Sequence, residues 1–206
     1  MCAGLALALL VGAPVSAQNQ VSSGLGPAGA GCDFLDAVKK SDGDKATDLL
    51  ASNPGGLVNV RGSDGNTGLI IAITRRDEQW TGFLLNKGAD PNLAGKGGDT
   101  PMIAAARVGF GEAIPWLVGL GAKVDATNRA GETALIIAVQ QRNTPIVEFL
   151  LKAGANPDKT DNTQGYSARQ YAQRDPRARD ILTLIENNSK TTKPEKTDKL
   201  ESFKLK

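Results

Sequence analysis

Gly65, Gly98 and Gly131 stand 33 residues apart, and each opens the same phrase: Gly65-Asn66-Thr67, Gly98-Asp99-Thr100, Gly131-Glu132-Thr133. Seven residues after each glycine comes an alanine (Ala72, Ala105, Ala138), then an apolar pair (Leu84-Leu85, Leu117-Val118, Leu150-Leu151), then a closing glycine (Gly88, Gly121, Gly154). A unit this short cannot bury its apolar face alone. Self-similar units of this period must therefore stack into a solenoid, each covering its neighbour.

A fourth copy follows at Gly165-Tyr166-Ser167 with Ala172 and Leu184-Ile185, but Asn188 replaces the closing glycine, as in a worn terminal unit. Upstream, Phe34-Leu35-Asp36-Ala37 and Leu49-Leu50 fit the template once two residues are added in the loop from Ala51 to Val58. This reading gives about five units, at about 33–58, 59–92, 93–125, 126–158 and 159–188.

Within a unit, Thr133 precedes the apolar run Ala134 to Val139 and suits a helix N-cap. One copy earlier Thr100 is followed by Pro101, which fits the first helical position because its missing N–H had no intrahelical partner. Arg142-Asn143 breaks that helix. Asn143 can cap a second one, over Thr144 to Ala153, whose Ile146, Val147, Leu150 and Leu151 share a face. Gly154 ends it, and the polar stretch to Gly165 predicts a hairpin-like loop, as Asp64-Gly65 and Gly97-Gly98 do earlier.

Helix, tight turn, helix and projecting loop, with the phrase Thr100-Pro101-Met102-Ile103-Ala104-Ala105 and the Gly-Ala closings, resembles the ankyrin repeat over about three quarters of the chain. The tetratricopeptide repeat, at a similar period, fits less well because its Trp and Tyr positions are absent. The expected fold is all-α, a solenoid of helix-turn-helix units with projecting hairpin loops. One departure stands out: the family's histidine after Thr-Pro is replaced by Ile70, Ile103 and Ile136, and the chain contains no histidine. The Thr to His hydrogen bond is then lost. Isoleucine burial, about 1.5–3 kcal/mol per side chain, takes its place, and stability should depend little on pH near neutrality.

Residues Ala3 to Gly12 are apolar or glycine and are followed by Ala13-Pro14-Val15-Ser16-Ala17, which predicts a secretory signal over 1–17 and a periplasmic or secreted location. The apolar run is too short to span a bilayer, and it lacks a Lys or Arg before it. Residues 18–32, rich in Ser, Gly, Ala and Pro, are expected to form a flexible leader. Cleavage would remove Cys2 and leave Cys32 alone, without a disulfide. The tail, 189–206, carries six lysines against three acids, so the chain's formal charge of +2 resides there and the folded body is near neutral. Charge thus gives no support to a nucleic-acid partner or to integral membrane contact, and only the tail could make weak envelope-surface contact.

Catalysis has little to work with. There is no Cys-x-x-Cys or Gly-x-Ser-x-Gly, and Gly95-Lys96-Gly97-Gly98-Asp99-Thr100 lacks phosphate-loop spacing and reads as a hairpin tip. Asp42-Gly43-Asp44 with Asp48 lacks the glycine and glutamate of a calcium loop and reads as a solvated turn. No cofactor or metal is implied, and no carboxylate pair is singled out.

The resemblance implies recognition of another protein by the loop tips and the exposed side of each first helix. Carried over residue by residue, those positions are Ser63, Asp64, Asn66, Thr74 and Arg75; then Lys96, Asp99 and Arg107; then Arg129, Glu132, Gln140 and Gln141; and finally Thr163, Tyr166 and Arg174. Trp116 and Trp80, at apolar positions of the second helices, are expected in the core. The chain is thus read as an exported bacterial repeat protein that binds an unidentified protein and is not an enzyme. A reading from a different class makes it an accessory or oxidant-defence factor that uses the Cys32 thiol.

Overall fold

The computed structural model describes residues 29–54 and 56–191, with side chains to 188. The expected signal, most of the leader and all but the start of the tail lie outside the described residues. Ten helices form five successive pairs: α1 Ala30–Lys40 with α2 Gly43–Ser52, α3 Gly68–Thr74 with α4 Glu78–Asn86, α5 Pro101–Val108 with α6 Ala113–Gly119, α7 Ala134–Gln140 with α8 Thr144–Lys152, and α9 Ala168–Arg174 with α10 Arg179–Thr191. No strand occurs among the described residues; isolated bridges Arg61–Thr67 and Thr160–Ser167 close the bases of two hairpin loops. The helix α1 begins before the expected end of the leader, so Cys32 is helical, and α10 continues past Asn188.

Each first helix after α1 starts on a hydroxyl. Thr67, Thr100, Thr133 and Ser167 accept the N–H of Ile70, Ile103, Ile136 and Gln170 at 3.2–3.3 Å, which satisfies one of the orphan donors of the first turn. In the last unit the cap is reciprocal, because Gln170 returns its Oε1 to the Ser167 N–H at 2.8 Å. The three isoleucines at the same site are 0–5% exposed, so apolar burial and a one-way cap hold the first helices of the middle units.

Second helices are capped by Asp42, Asp77 and Asn143, whose side chains accept from Lys45, Trp80 and Ile146. In the third unit the corresponding residue is Phe110, which is buried instead. With an apolar side chain in the capping slot, α6 begins two residues late and has no side-chain cap. Gly88, Gly121 and Gly154 end the second helices at φ of 83–90°, where a side chain would be strained. Asn188, in the last unit, instead donates Nδ2 to the Leu151 carbonyl of α8.

Ala72, Ala105 and Ala138 are fully buried, and the backbone contact between successive units runs through α1, α3, α5, α7 and α9. A methyl group at each crossing lets these helices come close. Among the second helices only α8 and α10 approach comparably; elsewhere larger side chains, including the fully buried Leu84, Leu117 and Leu150, fill a wider gap. The first-helix side of the stack is therefore tight and the second-helix side splayed. Trp80 is buried, edge-on to Phe83 at 5.3 Å. Trp116, expected in the core, is only partly buried, and it lines a groove between the splayed α4 and α6.

Candidate interaction surface

Two ladders of hydrogen bonds tie the loops of successive units together. Near the hairpin tips, Asn66 Oδ1 accepts the Lys96 N–H at 3.0 Å, the Arg129 N–H donates to the Gly97 carbonyl at 3.0 Å, and the Asn162 N–H donates to the Ala130 carbonyl at 2.8 Å. After the second helices, Asn59, Asn92 and Asp125, again 33 residues apart, accept the N–H groups of Asp90, Lys123 and Asn156 at 2.8–2.9 Å. Asn59 and Asn92 also donate to the carbonyls of Gly88 and Gly121. From the sequence this segment reads only as polar and turn-rich, although the shared period of the three residues is visible there.

On this scaffold several of the expected contact residues have partners inside the chain. Arg75 donates to the carbonyls of Val38 and Lys39 at 2.9 and 3.0 Å, to Ser41 Oγ at 2.7 Å and to Asp77 at 3.2 Å. It thereby covers the carbonyl end of α1 from the next unit, where a cation is favoured. Gln141 does the same two units on, donating to the Arg107 carbonyl at 2.7 Å. Thr74 donates to the Ile70 carbonyl.

Asp99, Arg107 and Glu132 form one network. Arg107 grips Asp99 through two bonds at 2.9 and 3.2 Å and reaches Glu132 at 3.2 Å, while Asn128 Nδ2 donates to both carboxylates at 2.8 Å. The Asp99 carboxylate, with Glu132 behind it, holds the Arg107 guanidinium still more firmly protonated than usual. At the first tip Asp64 accepts the N–H and Nδ2 of Asn66, and that backbone bond holds its carboxyl below the ordinary value.

In the last unit Asp161 is 4% exposed and accepts the amides of Thr163, Gln164 and Gly165 at 2.8–3.0 Å and the Tyr171 hydroxyl at 2.5 Å. Burial pushes this carboxyl up, but the four donors together outweigh it and its pKa lies below the usual carboxylate value. Burial, then the Asp161 hydrogen bond, push the Tyr171 phenol up to about 12; Gln140 hydrogen-bonds the same side chain. Neither Asp161 nor Tyr171 stands out in the sequence.

Ser63, Lys96, Arg129 and Thr163 remain exposed along the hairpin tips. No carboxylate lies within salt-bridge distance of Lys96 or Arg129 among the described residues. At the far end Arg174 lies 4.6 Å above the half-buried Tyr166 ring, which is edge-on to Tyr171. The surface thus divides into a tied inner band and a solvated row of tips.

The sequence model described as ankyrin repeats, three copies, matches residues 34–128 and 102–195. The chain belongs to the ankyrin-repeat family. No curated protein matches it. Ankyrin repeats mediate protein–protein interaction, so the relevant partner is a protein, and the tips and first helices of these repeats form the candidate surface. Among the described residues no group of three metal-ligating side chains converges, and no helix is long and apolar enough to cross a membrane. Cys32 is exposed in the first turn of α1.

Proposed function

We propose that this chain is an exported bacterial ankyrin-repeat protein that binds a partner protein along its hairpin tips and first helices and has no catalysis of its own. The observation that carries the choice of face is the tip row, where Lys96 and Arg129 project from successive repeats without a counter-charge, beside Tyr166 and Arg174. Aromatic and arginine side chains held in place by neighbours are suited to anchor an interface. The apolar run followed by Ala13 to Ala17 supports export, and the lysines of 189–206 would add weak contact with an anionic envelope surface.

The test is affinity capture from envelope extract with the wild type and with Lys96→Glu/Arg129→Glu. Arg75 and Arg107 are spared, because their loss would disturb the fold itself. Loss of a wild-type-specific partner is expected; capture that persists through both reversals rejects the face. Export is checked separately by the N-terminus of the protein recovered from cells. A processed chain beginning at Gln18 supports the reading, and an unprocessed chain in the cytosol rejects it.

A further inference from the structure

Most charged groups on the tips and first helices are matched within the chain. Arg107 and Asn128 bond Asp99 and Glu132, Asn66 bonds both oxygens of Asp64, and Asp161 is held by three amides and a phenol. Lys96 and Arg129 differ. They hold equivalent positions 33 residues apart on adjacent tips, both are exposed, and among the described residues neither charged head has a hydrogen-bond or ion-pair partner. Their backbones are nonetheless fixed. Asn66 Oδ1 takes the Lys96 N–H and the Gly97 carbonyl takes the Arg129 N–H, both at 3.0 Å. Gly98, at φ 84°, lies so close to Arg129 that a Cβ there would come within 3.0 Å of its N and 3.3 Å of its Cγ. The missing side chain at Gly98 therefore lets the base of the Arg129 stem rest on the neighbouring tip.

We propose that the partner protein meets the tips with an extended acidic segment, whose carboxylates pair with Lys96 and Arg129. This rests on the reading of the tip row as the contact face. The acceptors on this surface are already engaged while these two cationic donors are not, so the complementary surface must bring acceptors, and charge-assisted pairs with carboxylates are the strong ones. Donors anchored at the backbone also lose less freedom on binding. Spacing adds a pattern. Packed repeats lie about 10 Å apart, and a polyproline-like chain returns a side chain to the same face every third residue, about 9 Å on. An acid at every third position thus matches successive tips. A polyanion suits the row less well, because Asp99 and Glu132 each stand three residues on from a cation and repel a continuous line of phosphates.

Fluorescence anisotropy of a labelled synthetic peptide, with glutamate at every third position, titrated with the full chain tests the proposal. The wild type is expected to bind it about tenfold more tightly than Lys96→Glu/Arg129→Glu, with the same circular dichroism spectrum for both. Lys87→Glu/Lys123→Glu makes the same charge change at exposed positions after the second helices and is expected to bind like the wild type. A peptide with lysine for glutamate should prefer the charge-reversed tips. Equal binding by wild type and tip variant, an equal loss in Lys87→Glu/Lys123→Glu, or a glutamine peptide bound as tightly as the glutamate one overturns the proposal. Tighter binding of an equally charged phosphate oligomer through the same two residues overturns it in favour of a polyanion. If capture from envelope extract needs Lys96 and Arg129 but the acidic peptide does not, the contact face stands and this partner chemistry falls.

Discussion

The Tyr171 hydroxyl donates to Asp161 at 2.5 Å, joining the last first-helix to the loop that precedes it through a carboxylate already held by three backbone amides. Removing the hydroxyl in Tyr171→Phe leaves the amides in place but strips one charge-assisted bond, which is expected to lower stability by about 1.5–3 kcal/mol in a urea melt. An unchanged midpoint would mean that water replaces the phenol without loss.

The same pair contributes at both ends of the pH range. Tyr171 titrates from a reference of 10.0 in the unfolded chain and at about 12 when folded, so its contribution is present below about 10 and is lost as pH rises toward about 12. The Asp161 carboxyl is depressed on folding, so its contribution is present above its reference of 3.8 and is lost as pH falls through the lower folded value. With no histidine in the chain, the urea midpoint is expected to be flat between about pH 5 and 9. The alkaline fall should shrink in Tyr171→Phe and the acid fall in Asp161→Asn.

Arg75 and Arg129 are both exposed arginines, yet their substitutions should diverge. Arg75→Ala uncovers the carbonyls of Val38 and Lys39 at the end of α1 and is expected to cost about 1–2 kcal/mol, with preferential loosening of the first unit in hydrogen exchange. Arg129→Ala, whose side chain projects from a tip, should stay within about 0.5 kcal/mol of wild type. Equal effects would remove the distinction between the tied band and the tip row.

Asp125 occupies the ladder position of Asn59 and Asn92 but has no N–H to offer a neighbouring carbonyl. Asp125→Asn can keep the bond from the Asn156 amide and add a donor toward Gly154, as the two asparagines do toward Gly88 and Gly121. A gain of about 0.5–1 kcal/mol is expected by thermal or urea unfolding; a loss would show that the ladder tolerates only the carboxylate there.

Arg76 and Arg142 sit in left-handed backbone, at φ of 55° and 56°, in the turn where the middle unit has Gly109 at 68°. An L side chain there is strained by about 1–2 kcal/mol. Arg76→Gly should therefore raise the midpoint even after the entropy loss of glycine, and Gly109→Ala should lower it. The opposite order would place the controlling contacts in the arginine side chains.

The period, the hydroxyl caps and the alanine row are legible in the sequence because each obeys a rule set within a few residues: Thr133 before an apolar run, Gly154 after one, Ala138 on the face that must approach a neighbour. Arg75, Arg107 and Gln141 are legible as polar and exposed but not as structural. The carbonyls that Arg75 and Gln141 hold, and the Glu132 carboxylate that Arg107 reaches, lie in other units, some 25–37 residues away in the chain. The late start of α6 escapes a sequence reading because Phe110 satisfies the apolar pattern while vacating a capping position. Trp116 is misplaced for a related reason: helical spacing identifies an apolar stripe, but the depth of its rim depends on how far adjacent second helices splay.

Among the described residues, the side-chain bonds named above that join one unit to another span 25 to 37 residues of chain, so each joins immediate neighbours rather than vaulting over a whole unit. A stack wired in this way behaves under tension like a zipper. Pulled from its two ends, it should come open by single helix pairs in turn, giving a sawtooth of modest, similar force peaks, and on release the remaining pairs offer a ready template for the lost ones to re-form.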